Sequence, residues 1–311
     1  KMKVFKNLFY NLFFKDYHNR KLLMTGLSHI FNMRKNYPNV ENLNDLDFRV
    51  FSQNGEDGIL DYLLYQLKIE KPKFLEIGVG DYSEANTRFI RDRSSAKGSI
   101  VDCIEDLENK VKRNIKLWKG ELKIVKKKIN SENIKDIIND DNIFSNLDLF
   151  SLDIDSVDYW IINKLPKNFS KIAVLEFNPV FGNNLKVSVP DIKNFNRTEY
   201  HYSNLCFGMS LKAAIDIMTE KNFYFLGTNL FKNNAFFVSN DYDKDIYFKN
   251  LKLNNFKDHT NATFSESRDL DGNLNFLSGK KKIIEIEECE VIDLSDNKLK
   301  RIKEFLNKGG I

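Results

Sequence analysis

Short apolar segments alternate with amphipathic segments between residues 73 and 177, and this alternation restricts the fold more than any other feature. The apolar segments have the length of buried strands and cover residues 73–77, 99–104, 122–129, 147–154 and 172–177. The amphipathic segments have helical spacing and cover residues 84–93, 107–118, 132–138 and 158–163. Strands separated by helices form βαβ units, so the sequence predicts a parallel sheet with helices on both faces.

Two further strands follow a predicted helix over residues 211–221. They cover residues 223–227 and 235–239, and the roughly seven residues between them allow an antiparallel hairpin. The predicted fold is therefore α/β, with a Rossmann-like, seven-stranded sheet. We divide the chain into an N-terminal helical extension (1–45), a core (46–240) and a small C-terminal extension (241–311). In the C-terminal extension a strand is predicted over 283–294 and a helix over 296–306.

The charge and cysteine content exclude some classes of function. The formal net charge is only +4, from 48 basic and 44 acidic side chains, which argues against nucleic acid as a partner. Cys103, Cys206 and Cys289 lie far apart, without metal-ligand spacing or a disulfide framework, so we expect a reducing, cytoplasmic compartment. No run approaches the roughly 20 apolar residues of a transmembrane helix.

The first 21 residues are basic and aromatic, and their apolar residues recur at helical spacing. This pattern predicts an amphipathic helix and lacks the apolar run and cleavage site of a signal peptide. Two alternatives remain open for the apolar face: packing on the core or on a second subunit of a homodimer, and peripheral contact with a membrane. The residues of that face are Val4, Phe5, Leu8, Phe9, Leu12 and Phe13.

A short glycine turn follows the first predicted strand. Gly78 and Gly80 stand where the chain must turn sharply and where a ligand can approach the backbone closely. Ser83 replaces the third glycine of the dinucleotide fingerprint, which weakens the prediction of a nicotinamide cofactor. Glu76, just before the turn, instead suits the cationic amino-acid end of S-adenosylmethionine (SAM). A tight turn without a ligand remains the alternative.

An acidic residue ends the second predicted strand, about 20 residues beyond the glycines. Asp102 in this position can accept hydrogen bonds from both hydroxyls of a ribose, and it lies nearer the strand end than Glu105. SAM and NAD both carry this ribose, so Asp102 does not distinguish between them. A solvated surface carboxylate is the alternative interpretation.

The densest group of polar side chains follows the fourth and fifth predicted strands. Asp153 and Asp155 alternate at the end of the fourth strand, and Asp158 opens the next helix. Glu176 and Asn178 end the fifth strand. Ligands of open α/β sheets bind at the carboxyl ends of the strands, so we expect these side chains at the ligand site. Asp153 is the candidate cofactor ligand among them.

Clustered carboxylates repel one another unless something neutralises them, and two explanations remain open. In the first, oxygen atoms of Asp155, Glu176 and Asn178 hold Mg²⁺, which binds two sugar hydroxyls and lowers the pKa of one. Asp155, Asp158 and His201 are then the candidate catalytic groups, with Asp158 or His201 as the general base. In the second, the acids cap helices, accept backbone N–H groups or hold the amino group of SAM without a metal.

Five segments of the chain occur in the same order as in a known group of enzymes. They are Phe-Ser-Gln-Asn-Gly-Glu-Asp-Gly-Ile (51–59), Phe-Leu-Glu-Ile-Gly-Val-Gly-Asp (74–81), Asp-Ile-Asp-Ser-Val-Asp-Tyr-Trp (153–160), Val-Leu-Glu-Phe-Asn (174–178) and Asn-Ala-Phe-Phe-Val (234–238). Together they resemble class I SAM-dependent methyltransferases similar to the FkbM-type sugar O-methyltransferases, a bacterial group associated with surface glycans. The resemblance covers residues 50–240.

This resemblance implies a class I fold, in which an antiparallel hairpin closes a parallel sheet, with SAM as the cofactor. It also implies that Gln53 and Glu56 lie over the SAM site. The sequence departs from the group's Asp-Ile-Asp-Gly-Asn-Asp motif, because Ser156 and Val157 replace Gly-Asn. That departure concerns the acceptor pocket rather than the binding of SAM.

The leading hypothesis is a SAM-dependent O-methyltransferase that acts on a carbohydrate, a glycan or another small molecule with a hydroxyl group, in surface-glycan biosynthesis. One alternative is a non-catalytic scaffold in glycan assembly that keeps the fold but not the chemistry. Another is an NAD-dependent oxidoreductase or sugar epimerase, against which Ser83 argues.

Overall fold

The computed structural model describes the backbone of residues 2–252 and 266–307, and the side chains from residue 17 onward within these ranges. The strands are β1 (Lys73–Ile77), β2 (Lys97–Asp102), β3 (Leu122–Lys126), β4 (Leu147–Leu152), β5 (Ser170–Glu176), β6 (Val187–Ser188), β7 (Phe223–Thr228), β8 (Asn234–Ser239), β9 (Glu290–Asp293) and β10 (Lys298–Arg301). The helices are α1 (Met2–Met33), α2 (Glu56–Gln66), α3 (Arg88–Ser94), α4 (Leu107–Asn114), α5 (Ile134–Ile138), α6 (Asp141–Phe144), α7 (Asp158–Lys164), α8 (Arg197–Tyr200), α9 (Leu211–Glu220), α10 (Lys244–Tyr247), α11 (Lys281–Glu285) and α12 (Ile302–Leu306).

The central sheet has seven strands in the order β3-β2-β1-β4-β5-β8-β7. The pairs β1–β2, β2–β3, β1–β4 and β4–β5 are parallel, whereas β8 runs antiparallel to both β5 and β7. The strands β7 and β8 therefore form the predicted hairpin, and β8 runs against the direction of its neighbours. The predicted α/β fold with a seven-stranded, Rossmann-like sheet is confirmed.

Successive residues of each strand bury on opposite faces of this sheet, so two apolar layers form. Phe74 and its register partner Leu149 pack in the layer that contains α2 and α3. The next pair, Leu75 and Phe150, packs in the layer that contains α7 and α9. Because helices cover both faces, the carboxyl ends of the strands are the place for a ligand.

The predicted N-terminal helix is α1. The apolar residues that define its predicted face, residues 4–13, lie outside the described side chains. Further along the helix, Leu23 and Ile30 are buried against the core. At its end, Arg34 binds the fully buried carboxylate of Asp61 through two N–H groups, at 2.9 and 2.8 Å, which fixes α1 to α2. None of the helices in the described ranges has both the length and the apolar character needed to cross a bilayer.

The C-terminal extension differs from its prediction. Instead of one strand over 283–294 and a helix from 296, the chain forms α11, β9, β10 and α12. The strand β9 pairs with both β10 and β6, which gives a second, three-stranded sheet. The physical reason is a tight turn: the Asp293 carboxylate accepts the N–H of Ser295 at 2.9 Å, and Asn297 adopts a left-handed φ of 56°.

Candidate active site

A cavity of about 560 Å³ opens at the carboxyl ends of β1, β2 and β4. Its volume lies within the ~300–1,000 Å³ of small-molecule sites, and its position is that of ligand sites in open α/β sheets. The lining residues are Gln53, Ile77, Gly78, Val79, Gly80, Asp81, Ser83, Glu84, Val101, Asp102, Cys103, Lys127, Lys128, Ile129, Asp153, Ile154, Asp155, Ser156, Phe195, Asn196 and Arg197.

The glycine turn forms the centre of one wall of this cavity. Gly78 and Gly80 have φ angles of 88° and 53°, in the left-handed region. A Cβ atom on Gly78 would lie 1.5 Å from the carbonyl oxygen of Asp153, so only glycine fits where β1 and β4 end side by side. A Cβ atom on Gly80 would meet nothing within 4 Å. The turn is therefore packed tightly against β4 at Gly78 and open at Gly80.

Asp102 binds the backbone of the glycine turn. Its Oδ2 accepts the N–H groups of Val79 at 2.8 Å and Gly80 at 2.7 Å, and its Oδ1 accepts the N–H of Ile104 at 2.9 Å. The carboxylate is half-buried and borders the cavity. Glu105, the other acid of this segment, points to solvent and pairs with Lys126 at 2.8 Å. The structure thus brings Asp102, rather than Glu105, to the glycines.

Glu76 is not part of the cavity wall. Its buried carboxylate accepts the N–H of Asn86 at 2.9 Å, and the N–H and hydroxyl of Thr87 at 3.0 and 2.5 Å. Burial raises its pKa to about 7. The carboxylate therefore holds the chain at the start of α3, because strand alternation turns it toward the α2–α3 face of the sheet.

Gln53 and Glu56, which the resemblance places over the cofactor site, have different surroundings. Gln53 is exposed and lines the cavity. Glu56 is fully buried outside the cavity wall: its Oε1 accepts the side-chain amides of Asn229 and Asn234, each at 2.8 Å, and its Oε2 accepts the N–H of Asn54 at 2.9 Å. Burial raises the pKa of Glu56. Glu56 thus joins the start of α2 to the β7–β8 hairpin.

Three carboxylates meet where β4 and β5 end. One oxygen atom from each of Asp153, Asp155 and Glu176 lies within 4.8 Å of the others. Burial, followed by the charge of the neighbouring carboxylate, raises the pKa of both Asp153 and Glu176 well above ordinary values. The side chain of Asp155 is 41% exposed at the cavity. Its partial removal from water nevertheless raises its pKa, against the opposing charge of Arg197. These groups accordingly hold protons more tightly than isolated carboxyl groups.

Arg197 neutralises part of this cluster, and the sequence analysis did not identify it. Its guanidinium binds the carboxylates of Asp155 and Glu266, and it lies over the Phe207 ring at 4.8 Å from the centroid. Arg197 opens the short helix α8, in a segment for which no helix or strand was predicted. Its partner Asp155 is 42 residues earlier in the chain, so no local pattern indicates the pair.

Asp158, a candidate base, is turned toward the backbone instead of the cavity. Its Oδ1 accepts the N–H of Ile154 at 3.2 Å, and its Oδ2 accepts the N–H of Ser156 at 3.0 Å. Burial raises its pKa to about 6. Its carboxylate fixes the turn that carries Asp155, which adopts a left-handed φ of 52°.

Asn178 and His201 also lie outside the cavity wall. The buried amide of Asn178 donates to the carbonyl groups of Leu205 at 2.8 Å and Phe207 at 3.0 Å, and its oxygen accepts the N–H two residues further on. The Nδ1 atom of His201 lies 2.7 Å from the hydroxyl of Ser203, and burial lowers the pKa of the imidazole. The carboxamide of Asn178 is therefore occupied, and the ring of His201 faces its own loop.

The segment after β3 supplies further lining residues that the sequence analysis missed. Lys127, Lys128 and Ile129 were predicted to continue the strand, but β3 ends at Lys126 and the chain turns along the cavity. The N–H of Lys127 donates to the carbonyl of Asp102 at 2.9 Å, so this turn lies beside the end of β2. Its apolar member, Ile129, is buried.

No model of a known protein family matches the chain, and no curated protein matches it in sequence. A solved structure of a cysteine-to-alanine variant of LepI in complex with SAH and a substrate analogue is 13% identical, with a TM-score of 0.35 over 57% of this chain and 46% of that chain. This chain thus spans about half the length of that one.

Two further solved structures are similar to the chain at the same level. A chain in the complex of the Haloferax volcanii Trm112 methyltransferase activator with a protein described as a methyltransferase is 11% identical, with a TM-score of 0.32 over 55% of this chain and 73% of that chain. A protein from Galdieria sulphuraria described as a sarcosine dimethylglycine methyltransferase is 10% identical, with a TM-score of 0.34 over 67% of this chain and 75% of that chain.

Proposed function

We propose that this protein is a SAM-dependent O-methyltransferase. The observation that carries the proposal is the glycine turn, bound by Asp102, in the wall of a cavity of about 560 Å³. The cavity lies at the carboxyl edge of a sheet whose terminal hairpin has the arrangement of class I methyltransferases. SAM is favoured over a nicotinamide cofactor because Ser83 stands where a pyrophosphate site requires glycine.

The lining residues fit SAM by their chemistry. Asp102 can still accept one ribose hydroxyl, since a carboxylate has about four lone-pair sites and three are used by backbone N–H groups. Ile129 offers an apolar surface to a purine ring, and Gly80 allows a close approach to the backbone. Asp81 and Glu84, which line the cavity, supply negative charge for the cationic amino group. We propose that Asp81 and Glu84 bind this amino group in place of Glu76, because the Glu76 carboxylate is bound at the start of α3.

The chain's own residues must hold an acceptor hydroxyl and take up its proton, whereas bound SAM supplies a methyl group on a cationic sulfur. We assign the proton to Asp155, which borders the cavity and whose raised pKa makes it a stronger base than an ordinary aspartate. On transfer of the methyl group from sulfur to the acceptor oxygen, the hydroxyl proton would pass to Asp155. The products are a methyl ether and S-adenosylhomocysteine (SAH).

Two arrangements neutralise the three carboxylates. In the one we propose, Arg197 pairs with Asp155 while a proton is shared between Asp153 and Glu176. In the other, Asp153, Asp155 and Glu176 would hold a divalent cation, so that Asp153 takes the place of Asn178 in the predicted set of ligands. Arg197 would then have to release Asp155. We expect methylation to be unchanged by EDTA. A loss of activity on chelation that Mg²⁺ restores would support the cation instead.

The acceptor we propose is a carbohydrate or another molecule rich in hydroxyl groups. Ser156, Asn196 and Arg197 border the cavity next to Asp155 and provide hydrogen-bonding groups for such a ligand. The resemblance to FkbM-type enzymes supports a sugar and a place in surface-glycan biosynthesis. The replacement of Gly-Asn by Ser156 and Val157 is expected to alter which sugar is accepted.

Transfer of labelled methyl groups from SAM to a panel of sugars and nucleotide sugars tests this proposal. We expect Asp155→Asn to lower kcat about 100-fold or more, because the acceptor proton loses its base, with little change in SAH affinity. Asp45→Asn, at an exposed carboxylate in the short 3₁₀ helix Leu43–Leu46 before α2, is the control. Wild-type turnover in Asp155→Asn would remove Asp155 from the mechanism, and no transfer to any acceptor by folded protein that binds SAM would favour the scaffold.

A further inference from the structure

We infer that the exposed face of α1 from Tyr17 onward, together with Lys35 just after the helix, docks on an anionic membrane surface. The opposite face of this segment is held by the core: Leu23 and Ile30 are buried, and a Cβ atom on Gly26 would lie 2.4 Å from the side chain of Val50. The helix is therefore fixed in one rotation, and the same side chains always point outward. This inference is independent of the proposed reaction.

The outward face carries a row of large apolar side chains. Tyr17, Met24 and Phe31 are 59%, 62% and 69% exposed, and they follow one another at seven-residue intervals. Seven residues are close to two helical turns, so these side chains lie in one line along the helix. Leu27, 39% exposed, extends the row between Met24 and Phe31. Such a continuous row is unusual on a surface exposed only to water.

Positive charge accompanies this row, and residues 17–35 include no aspartate or glutamate. The Nζ atom of Lys21 lies 5.3 Å from the centroid of the Tyr17 ring, and that of Lys35 lies 5.2 Å from the centroid of the Phe31 ring. Arg20 adds a third exposed cation. The rings of Tyr17 and Phe31 therefore each have an ammonium group beside them, from a lysine four residues further along the chain.

This combination fits a lipid surface better than a second copy of the chain. Aromatic rings are favoured at the level of lipid headgroups, and lysine stems extend to place the ammonium group near phosphate. Two copies that met through this face would bring two sets of cations together without carboxylates between them, which opposes association. An anionic bilayer instead supplies negative charge outside and apolar volume beneath it. The inference concerns the exposed face of residues 17–35 only, because the predicted apolar face of residues 4–13 lies outside the described side chains.

Co-sedimentation of the full chain with vesicles tests this inference. The two preparations are phosphatidylcholine alone and phosphatidylcholine with one third phosphatidylglycerol. We expect binding to the anionic vesicles about tenfold tighter than to the neutral ones, and weaker as salt rises. Replacing Met24 and Phe31 together by serine is expected to lower binding to anionic vesicles about tenfold. Replacing Lys21 and Lys35 together by glutamine is expected to remove the preference for anionic lipid.

Leu270→Ser is the control, because it also replaces an exposed apolar side chain by serine, at a position 80% exposed on the C-terminal extension. It is expected to sediment like the wild type. Equal sedimentation with both vesicles, or with neither, would overturn the inference. A solution dimer that dissociates on Phe31→Ser, in a chain that ignores vesicles, would assign the face to a second copy. Thermal unfolding and SAH titration of each variant separate loss of docking from loss of folding or of the proposed activity.

Discussion

At the scale of single residues, the Asp102 carboxylate binds the backbone of the glycine turn and is also proposed to bind the ribose of SAM. It holds the glycine turn through the N–H groups of Val79 and Gly80. The variant Asp102→Asn replaces an acceptor oxygen by an N–H donor, which leaves a backbone donor unpaired or turns the amide away from the ribose. We expect the affinity for SAH, measured by calorimetry, to fall about 10- to 100-fold.

Glu105→Gln is the control for this variant, because Glu105 belongs to the same segment but is 89% exposed and binds Lys126 on the surface. Its SAH affinity is expected to equal that of the wild type. Asp102→Asn with wild-type affinity would contradict the assignment of Asp102 to the ribose.

The two glycines of the turn are expected to respond differently to the same substitution. In Gly78→Ala the new methyl group would overlap the carbonyl oxygen of Asp153, so we expect destabilisation by more than about 3 kcal/mol. In Gly80→Ala the left-handed φ of 53° costs about 1–2 kcal/mol and no atom lies in the way. We expect Gly80→Ala to fold and to bind SAH more weakly. Thermal unfolding and calorimetry check the pair, and equal effects of the two variants on stability would contradict this packing.

Residue types and their positions near strand ends were sufficient to predict the edge of the sheet at which the cavity opens, but not the direction of each side chain. Asp153 and Asp155 border the cavity, whereas Glu76 and Asp158 accept backbone N–H groups of neighbouring turns. All four are acids at comparable positions in the sequence. What separates them is which face of the sheet or turn each side chain lies on, and residue type alone does not determine this.

At the scale of elements, the meeting of β4 and β5 makes stability depend on pH. The pKa values of Asp153 and Glu176 in the folded chain lie well above their ordinary values of 3.8 and 4.5. As pH rises above the ordinary values, the unfolded chain releases protons that the folded chain still holds. By linkage, these two groups stabilise the fold fully at low pH and lose that stabilisation as pH rises through their folded pKa values.

We therefore expect Glu176→Gln, which has no proton to lose at this position, to gain stability relative to the wild type as pH rises above the ordinary glutamate value of 4.5. The Tm difference between the two proteins, measured from this value upward, should move in favour of the variant as pH rises. Glu199→Gln, at an exposed position on α8, should show no such trend. A Tm difference independent of pH would contradict the raised pKa values.

The strands that the sequence predicted well are those buried on both faces, such as β1 and β4, since their apolar runs are continuous. The second sheet was not predicted, because β6 has two residues and β10 is mostly exposed lysine and arginine. Strands of this kind are defined by their pairing partners, which lie about a hundred residues apart in the case of β6 and β9.

At the scale of the whole molecule, the two apolar layers and the ion pair of Arg34 with Asp61 fix the helices around the sheet. The carboxyl edge of β1, β2 and β4 remains as an open cavity. The general architecture followed from the alternation of elements, whereas the Arg197–Asp155 pair depends on the folded chain. The proposed cofactor site is thus formed by elements that the sequence pattern predicts. The proposed acceptor site depends on a contact between residues that lie far apart in the chain.

The central claim is that the cavity beside Gly78 and Gly80 binds SAM. Calorimetric titration of the folded full chain with SAH tests it most directly. We expect saturable binding at one site per chain, weakened by Gly80→Ala and Asp102→Asn, and no comparable binding of NAD. Folded protein that gives neither binding heat nor a Tm shift with SAH, or that binds NAD in its place, would show that this cavity is not a SAM site.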